Sequence, residues 1–292
     1  MIEIDELLAF ITVAEAGSFS QAAERLYLTQ PAVSKRVAQL EDKFSGRLFD
    51  RIGRQIKLTE AGEILLPQAR EIIQSVRKAR QSIQDLSGQV QGSFRLATSH
   101  HVGLHRLPKV LKAYTSQYPD VTLELNFLDS EQACDAVTRG EFEVAVVTLP
   151  DSGHDALEKI AIWRDPLHVV AAPNHPLADC HGITLNRLMK HRAILPAANT
   201  YTRRAIEQQI GGDKLSAGGN LTSNYLETIK MMVSIGLGWS VLPESMIDRE
   251  IQALDVKGVS FERTLGIVHH KQHTLSNAAR SFVELMRESK GK

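Results

Sequence analysis

The sequence predicts an α + α/β chain in three parts: a winged helix-turn-helix over residues 1–58, a long coiled-coil linker helix over 59–87 and an α/β region over 88–292. Three observations carry this reading. Two short apolar helix patterns precede the helix start Thr29-Gln30-Pro31, and two strand-like runs flank Gly53. From Leu65 to Leu86 apolar residues recur at alternating spacings of four and three. Beyond residue 93, strand-like and helix-like stretches alternate, as they do in α/β sheets.

Leu7, Leu8, Phe10, Ile11 and Ala14 recur with helical period until Ala16-Gly17-Ser18. Gly17 suits a left-handed helix end, and Ser18 or Ser20 suits the next N-cap. A short second helix carries Ala22, Ala23 and Leu26, and Tyr27-Leu28 turns the chain. Thr29 then caps a third helix, with Pro31 in its first turn, where a missing N–H costs nothing. Val33, Val37, Leu40 and Phe44 form that helix's buried stripe. Past Gly46, Leu48-Phe49 and Ile56-Lys57-Leu58 read as the two strands of the wing.

Thr59 caps the long helix, and Glu60 and Glu63 complement its positive end. Leu65, Ala69, Ile72, Val76, Ala79, Ile83 and Leu86 form a seam of about three heptads, flanked by polar residues. This favours pairing of two chains over a helix lying on its own core. Pro67 bends the helix, and the polar stretch 87–92 is a hinge.

In the α/β region, strands are expected at 94–98, 121–127, 144–148, 167–172, 193–195, 238–242 and 265–269. Helices are expected at 104–117, 130–138, 202–209, 225–235 and 276–288. About 200 residues is long for one such unit, so it divides into subdomain I (93–162 with 265–292) and subdomain II (163–264), with crossovers near 162 and 265.

The 292 residues carry 34 basic and 34 acidic side chains, a formal net charge of zero. Zero argues against a generic nucleic-acid binder, but the distribution is uneven. Residues 1–24 hold Glu3, Asp5, Glu6, Glu15 and Glu24 with no Lys or Arg. Residues 25–57 hold eight basic residues against Glu41, Asp42 and Asp50. The basic excess therefore falls on the third helix and the wing. Cys134 and Cys180 make no disulfide framework, no apolar run approaches a membrane span, and the start MIEIDELL is acidic where a signal peptide is basic. A cytoplasmic chain with no membrane partner is expected.

An ordered set of motifs resembles the LysR-type transcriptional regulators. It includes Gly17-Ser18-Phe19-Ser20, Ala22-Ala23, the run from Thr29 to Arg36, Leu40-Glu41, Leu48-Phe49 with Arg51, and Leu58-Thr59 with Ala61-Gly62. Tyr118-Pro119, His175-Pro176-Leu177-Ala178 and Gly236 through Pro243 follow in the same order, so the resemblance spans nearly the whole chain. It implies a sequence-specific DNA-binding regulator whose C-terminal effector domain resembles periplasmic solute-binding proteins.

Double-stranded DNA is then the first partner. A recognition helix presents its N-terminal residues to base edges in the major groove. Gln30 suits adenine, Ala32 a thymine methyl, and Ser34, Lys35 and Arg36 suit phosphates or base edges. Arg51 and Arg54 reach the backbone along the wing, and Ser18, Thr29 and Pro31 complete the set. Leu65, Ala69, Ile72, Val76, Ala79 and Ile83 would hold a homodimer, so that two recognition helices meet successive half-sites. The resemblance further implies association into homotetramers and leaves RNA polymerase open as a partner.

A small anionic effector, a carboxylate or other oxyanion, is expected between the subdomains. Its site is read as Thr98, Ser99, His100 and His101, with Thr148, Thr200 and Thr202, because hydroxyls at helix N-termini favour an anion without a full positive charge. Each of these hydroxyls also reads as an ordinary helix cap. The combination Ala97 to His100, Val147-Thr148 and Tyr201-Thr202-Arg203 resembles the branch that regulates sulfur and cysteine metabolism, from which His101-Val102 departs where Thr-Gln is expected.

His101 and His105, one turn apart, and His269-His270 with His273 have no third and fourth ligand at motif spacing, so no metal and no cofactor are expected. Cys134 reads as a small buried residue rather than a redox sensor. No nucleophile elbow, P-loop or dinucleotide fingerprint is present, and Gly236-Leu237-Gly238 has the wrong continuation, so the chain is not expected to be an enzyme. The alternative is a solute-binding module or anion sensor without direct promoter regulation, which leaves the first 86 residues unexplained.

Overall fold

Gly17, at φ 61°, ends helix α1 (Ile4–Ala16), and the Ser18 hydroxyl accepts from the Gln21 N–H to start α2 (Phe19–Leu26). Tyr27 adopts φ 54° at the turn, and Thr29 caps α3 (Gln30–Lys43) by accepting from the Ala32 N–H at 3.4 Å. Strands β1 (Phe49–Ile52) and β2 (Gln55–Leu58) pair antiparallel as the wing. Its base is fixed by the Glu41 carboxylate, which accepts from the Leu48 N–H at 2.8 Å. In the core beneath, the Phe49 ring meets Phe10 at a tilt and Phe19 edge-on, with centroids 5.3 and 5.9 Å away. The structure, a computed structural model, describes residues 1–52, 55–86, 88–211 and 221–289.

Helix α4 (Glu60–Asp85) runs through Pro67 without ending, and Thr59 caps it by accepting from the Gly62 N–H at 3.1 Å. A Cβ on Gly62 would stand 2.3 Å from the Leu48 carbonyl oxygen, so only glycine lets the helix start this close to the wing. The chain divides near residue 87 into two units.

In the second unit, β3 (Gly92–Thr98) leads into α5 (His100–His105), and α6 (Pro108–Gln117) precedes β4 (Val121–Phe127). The single helix expected over 104–117 is thus two, because Pro108 has no N–H for a preceding turn and opens α6 instead. Next come α7 (Ser130–Thr138), β5 (Val144–Thr148) and the long β6 (Leu157–Ala171). The second half holds α8 (Leu185–Leu188), β7 (Ile194–Leu195), α9 (Tyr201–Ile210), β8 (Leu221–Thr222), α10 (Leu226–Ser234), β9 (Ser240–Pro243) and β10 (Gln252–Ala253). Strand β11 (Phe261–His270) and α11 (Asn277–Glu288) close the chain.

The main sheet has the order β10-β6-β11-β5-β3-β4, with β9 also on β6. Strands β3, β4 and β5 are mutually parallel, whereas β11 lies antiparallel between β5 and β6. The long strands β6 and β11 pass from one half to the other, with a register shift at Leu265/Gly266. There a Gly266 Cβ would stand 2.2 Å from the Ile160 carbonyl oxygen. Phe94, Leu96, Tyr114, Ile267 and Phe282 center one core, and Leu167, Val169, Ile206, Trp239 and Val241 center another. Full burial of each such side chain stabilises by roughly 1.5–3 kcal/mol. Strands β6 and β11 begin at Leu157 and Phe261, before the expected 167 and 265; Glu158, Lys159 and Arg164, then Glu262 and Arg263, break the apolar run by which a buried strand is recognised.

Candidate functional site

Helix α3 turns Val33, Val37 and Leu40 into the core and exposes Gln30, Pro31 and Lys35, with Ala32, Ser34 and Arg36 half-buried. The hydroxyls of Ser18 and Thr29 serve as caps. Arg36 donates to the Asp5 carboxylate at 2.8 Å, Lys43 to Glu6 at 2.5 Å and Arg70 to Glu15 at 2.9 Å. The acidic first helix therefore pairs with basic residues of α3 and α4. Arg36 is thus turned to α1 rather than standing free, in an exposed pair of a kind that contributes only ~0–1 kcal/mol. Arg51 contributes backbone to β1; its side chain and all of Arg54 lie outside the described residues.

The expected heptad seam splits. Leu65 and Ala69 are covered by their own chain, in register with Ile73 rather than Ile72, and they join the core formed with α1. Those two offer no surface to a partner, a correction that follows from the 3.6-residue period of a straight helix drifting from the 3.5-residue seam. Ile72, Ala79 and Ile83 are exposed, as is Leu86, and Val76 is half-buried.

Between the halves of the second unit lies a cleft of about 50 Å³. Ser99, His100, His101, Thr148, Thr200 and Thr202 line it, as the sequence leads one to expect. Thr98 does not: it is fully buried and donates to the Val146 carbonyl at 2.8 Å, tying β3 to β5. Thr200 caps α9, accepting from the Arg203 N–H and donating to the Ala197 carbonyl, so its hydroxyl is already engaged. Ser99, by contrast, makes no side-chain cap bond at the start of α5.

Beside the expected hydroxyls the cleft also carries a full positive charge, Arg263, which reaches it from β11 and is 7% exposed. Its Nε donates to Asp165 at 2.8 Å and its Nη1 to the Thr202 hydroxyl at 2.7 Å, while Nη2 has no partner among the described residues. Arg106 donates to the second Asp165 oxygen at 2.8 Å. Burial alone would raise the Asp165 carboxyl, but the Arg263 charge and the two guanidinium hydrogen bonds hold it below the usual range. Burial, reinforced by the Arg263 charge, pushes His101 down to about 3, so its ring is neutral.

Carboxylates also enter from the first half. Asp129 accepts from the Asn224 amide at 2.8 Å, and Glu131 accepts from the Tyr201 N–H, occupying the N-terminus of α9. Burial raises the Glu131 carboxyl above its ordinary value. At the rim the His100 ring lies 5.1 Å from Phe127 and meets Tyr225 edge-on at 4.6 Å. Arg263 escaped the sequence reading because its strand was expected to begin at 265. The alternation Phe261-in, Glu262-out, Arg263-in was the available signal.

Elsewhere, His270 and His273 stack at 3.9 Å. Cys134 is buried in the core, and burial pushes its thiol up to about 12, which disfavours the thiolate. No helix among the described residues is long and apolar enough to cross a membrane.

Residues 4–63 match the profile described as "Bacterial regulatory helix-turn-helix protein, lysR family", and residues 87–291 match "LysR substrate binding domain". The chain is 32% identical over 292 residues to the "RuBisCO operon transcriptional regulator" of Allochromatium vinosum, covering 98% of this chain and 95% of that one. A full-length OxyR variant from Pseudomonas aeruginosa superposes with a TM-score of 0.68 at 23% identity, covering 99% and 95% of the two chains. Full-length CbnR in complex with its target DNA superposes with a TM-score of 0.68 at 20% identity, covering 98% and 99%.

Proposed function

The chain belongs to the LysR family of DNA-binding transcriptional regulators, not enzymes, and from that premise we propose that it is a cytoplasmic, dimeric regulator switched by a small anion in the cleft. The observation that carries the effector reading is the buried, unpartnered Arg263 Nη2, in a cleft also lined by Ser99, whose hydroxyl makes no cap bond. A buried donor without a partner costs about 1–3 kcal/mol, which an oxyanion accepting from it recovers. The small cleft and its lining of hydroxyls and a guanidinium favour a small carboxylate or inorganic oxyanion. The relative from Allochromatium vinosum is named for a RuBisCO operon, which does not support the resemblance to the sulfur branch.

On the DNA side, Gln30, Pro31, Ala32, Ser34 and Lys35 would face the major groove, Arg36 would exchange Asp5 for a phosphate, and Ser18 and Thr29 would contribute backbone contacts from the caps. Ile72, Val76, Ala79 and Ile83 would pair two chains, and a tetramer would follow from further association. Effector binding would act by shifting the population between two arrangements of the oligomer.

A thermal-shift screen of small anions, repeated on Ser99→Ala and Thr202→Ala, tests the cleft. A stabilising anion that both variants bind as well as the parent would place the site elsewhere. DNA binding measured with and without residues 1–60 separates a regulator from a solute-binding module. A full-length protein without sequence preference at physiological salt would end the regulator reading.

A further inference from the structure

A second site lies beside the cleft. His101 and His105 stand one helical turn apart on α5, with ring centroids 4.8 Å from each other. Across from them, the first turn of α10 carries Glu227, whose Oε1 lies 3.1 Å from His105 Nε2. One ligand atom from each of the three residues lies within 4.8 Å of the other two, and no other group of three His, Cys, Asp or Glu side chains meets this condition among the described residues. We propose that His101, His105 and Glu227 bind a divalent first-row transition-metal ion of the zinc class, linking the two halves of the C-terminal unit.

The donor set selects the ion. Two imidazoles and one carboxylate suit zinc, cobalt or nickel, whereas magnesium and calcium take oxygen donors. Ligand nitrogens at ~2.0–2.1 Å from a tetrahedral ion stand ~3.3 Å apart. The His105–Glu227 separation of 3.1 Å already matches, and the His101 ligand atom lies within 4.8 Å of both partners. Three protein ligands leave a fourth position for water or an anion. His101 borders the cleft, which gives that position a source of both.

An independent observation points to a missing ligand. His101 is 4% exposed, and neither of its ring nitrogens has a hydrogen-bond partner among the described residues. An orphaned buried polar atom of this kind calls for an ion or water to satisfy it. Coordination of one nitrogen supplies that partner. The neighbouring Arg106 and Arg263 guanidiniums oppose a cation, but both share the Asp165 carboxylate, and Glu227 brings its own negative charge. No spacing rule shows this set, since Glu227 lies 122 positions beyond His105. The proposal is independent of whether the cleft takes an anion.

The test uses the full chain, stripped with a chelator and dialysed. Zinc affinity is measured by competition with a chromophoric chelator, and cobalt binding by its visible absorption, which reports coordination geometry directly. One ion per chain is expected, with visible bands of a four- or five-coordinate cobalt site. His105→Ala and Glu227→Ala change half-buried or exposed residues and keep the fold, as circular dichroism would verify. Each is expected to weaken binding by at least about tenfold, a third of the ligands being lost. His270→Ala, in the stacked surface pair, is expected to leave affinity unchanged. Absence of saturable binding by both ions, affinity unchanged in His105→Ala and Glu227→Ala, or loss through His270→Ala alone would each overturn the assignment.

Discussion

The Arg263 guanidinium donates through Nη1 to the Thr202 hydroxyl at 2.7 Å, joining strand β11 to the first turn of α9 at the floor of the cleft. Both residues are buried, so water cannot readily replace the acceptor. Thr202→Val keeps the shape and removes the oxygen, which strands a second guanidinium nitrogen. The expected cost is about 1–3 kcal/mol, measured as the denaturant midpoint of the C-terminal unit. Thr202→Ser keeps the acceptor and is expected to stay within about 1 kcal/mol of the parent. Equal losses in both variants would show that packing of the methyl group, not the hydrogen bond, matters at this position.

Asp165 answers two guanidiniums, Arg106 and Arg263, one on each oxygen. Its carboxyl is held below the usual range, so its contribution is present above the unfolded value of about 3.9 and fades as pH falls through the lower folded value. Asp165→Asn is expected to flatten the stability profile below about pH 4 and to lower stability at neutral pH by about 3–5 kcal/mol, because the buried Arg263 and the half-buried Arg106 lose their counter-charge. A variant with the parent's acid profile would contradict this assignment.

Glu131 carries the opposite sign. Burial outweighs the Tyr201 N–H bond and the Arg204 charge, and Asp129 adds to it, so the folded carboxyl titrates above its ordinary value. Folding therefore favours the protonated form. Stability contributed at low pH is lost as pH rises from about 4.3 through the raised folded value. Glu131→Gln retains an oxygen for the Tyr201 N–H without the charge. It is expected to be more stable than the parent at neutral pH, with a flatter profile across this window. If the cleft takes an anion, the same variant should bind it more tightly, because a competing carboxylate leaves the start of α9. Titration of thermal midpoints against pH and anion concentration checks both.

The local signals that the sequence carries are strong where one residue decides a backbone. Gly17, Thr29 and Pro31 mark helix ends through conformational preferences that need no tertiary context, and the helices start and stop there. The hydroxyls of the cleft were legible for the same reason, since Ser99, Thr200 and Thr202 sit at helix starts. Arg263 and Glu227 were not. Each reaches the site by long-range pairing, Arg263 through β6 and β5 and Glu227 across the cleft, and no local pattern encodes such contacts. Leu65 and Ala69 show a third kind of limit: a heptad stripe looks the same whether its first turns face a partner chain or the helices of their own.

Lys35 stands exposed on α3 and has the chemistry of a phosphate ligand, whereas Gln30, at the helix start, has that of a base reader. Lys35→Ala is expected to weaken all DNA sequences alike and to reduce the salt slope by about one. Gln30→Ala is expected to relax preference at one base position, with a loss of about 1–3 kcal/mol on the preferred site only. Binding isotherms on specific and scrambled duplexes at several salt concentrations distinguish them. A uniform loss in Gln30→Ala would assign that side chain to the backbone.

Ile73 and Ile83 lie on the same helix with opposite surroundings. Ile73 is 6% exposed within the core of the first unit, and Ile83 is 70% exposed. If the distal seam pairs two chains, Ile83→Lys should dissociate the dimer, seen as a lower sedimentation coefficient at micromolar concentration. The melting of the N-terminal unit extrapolated to low concentration should not change, because the side chain touches no core. Ile73→Ala should do the reverse, lowering the stability of that unit by about 2–5 kcal/mol through the cavity it leaves. Dimers that survive Ile83→Lys, and also Ile72→Lys one heptad and a half away, would mean that the chains associate through a surface other than this helix.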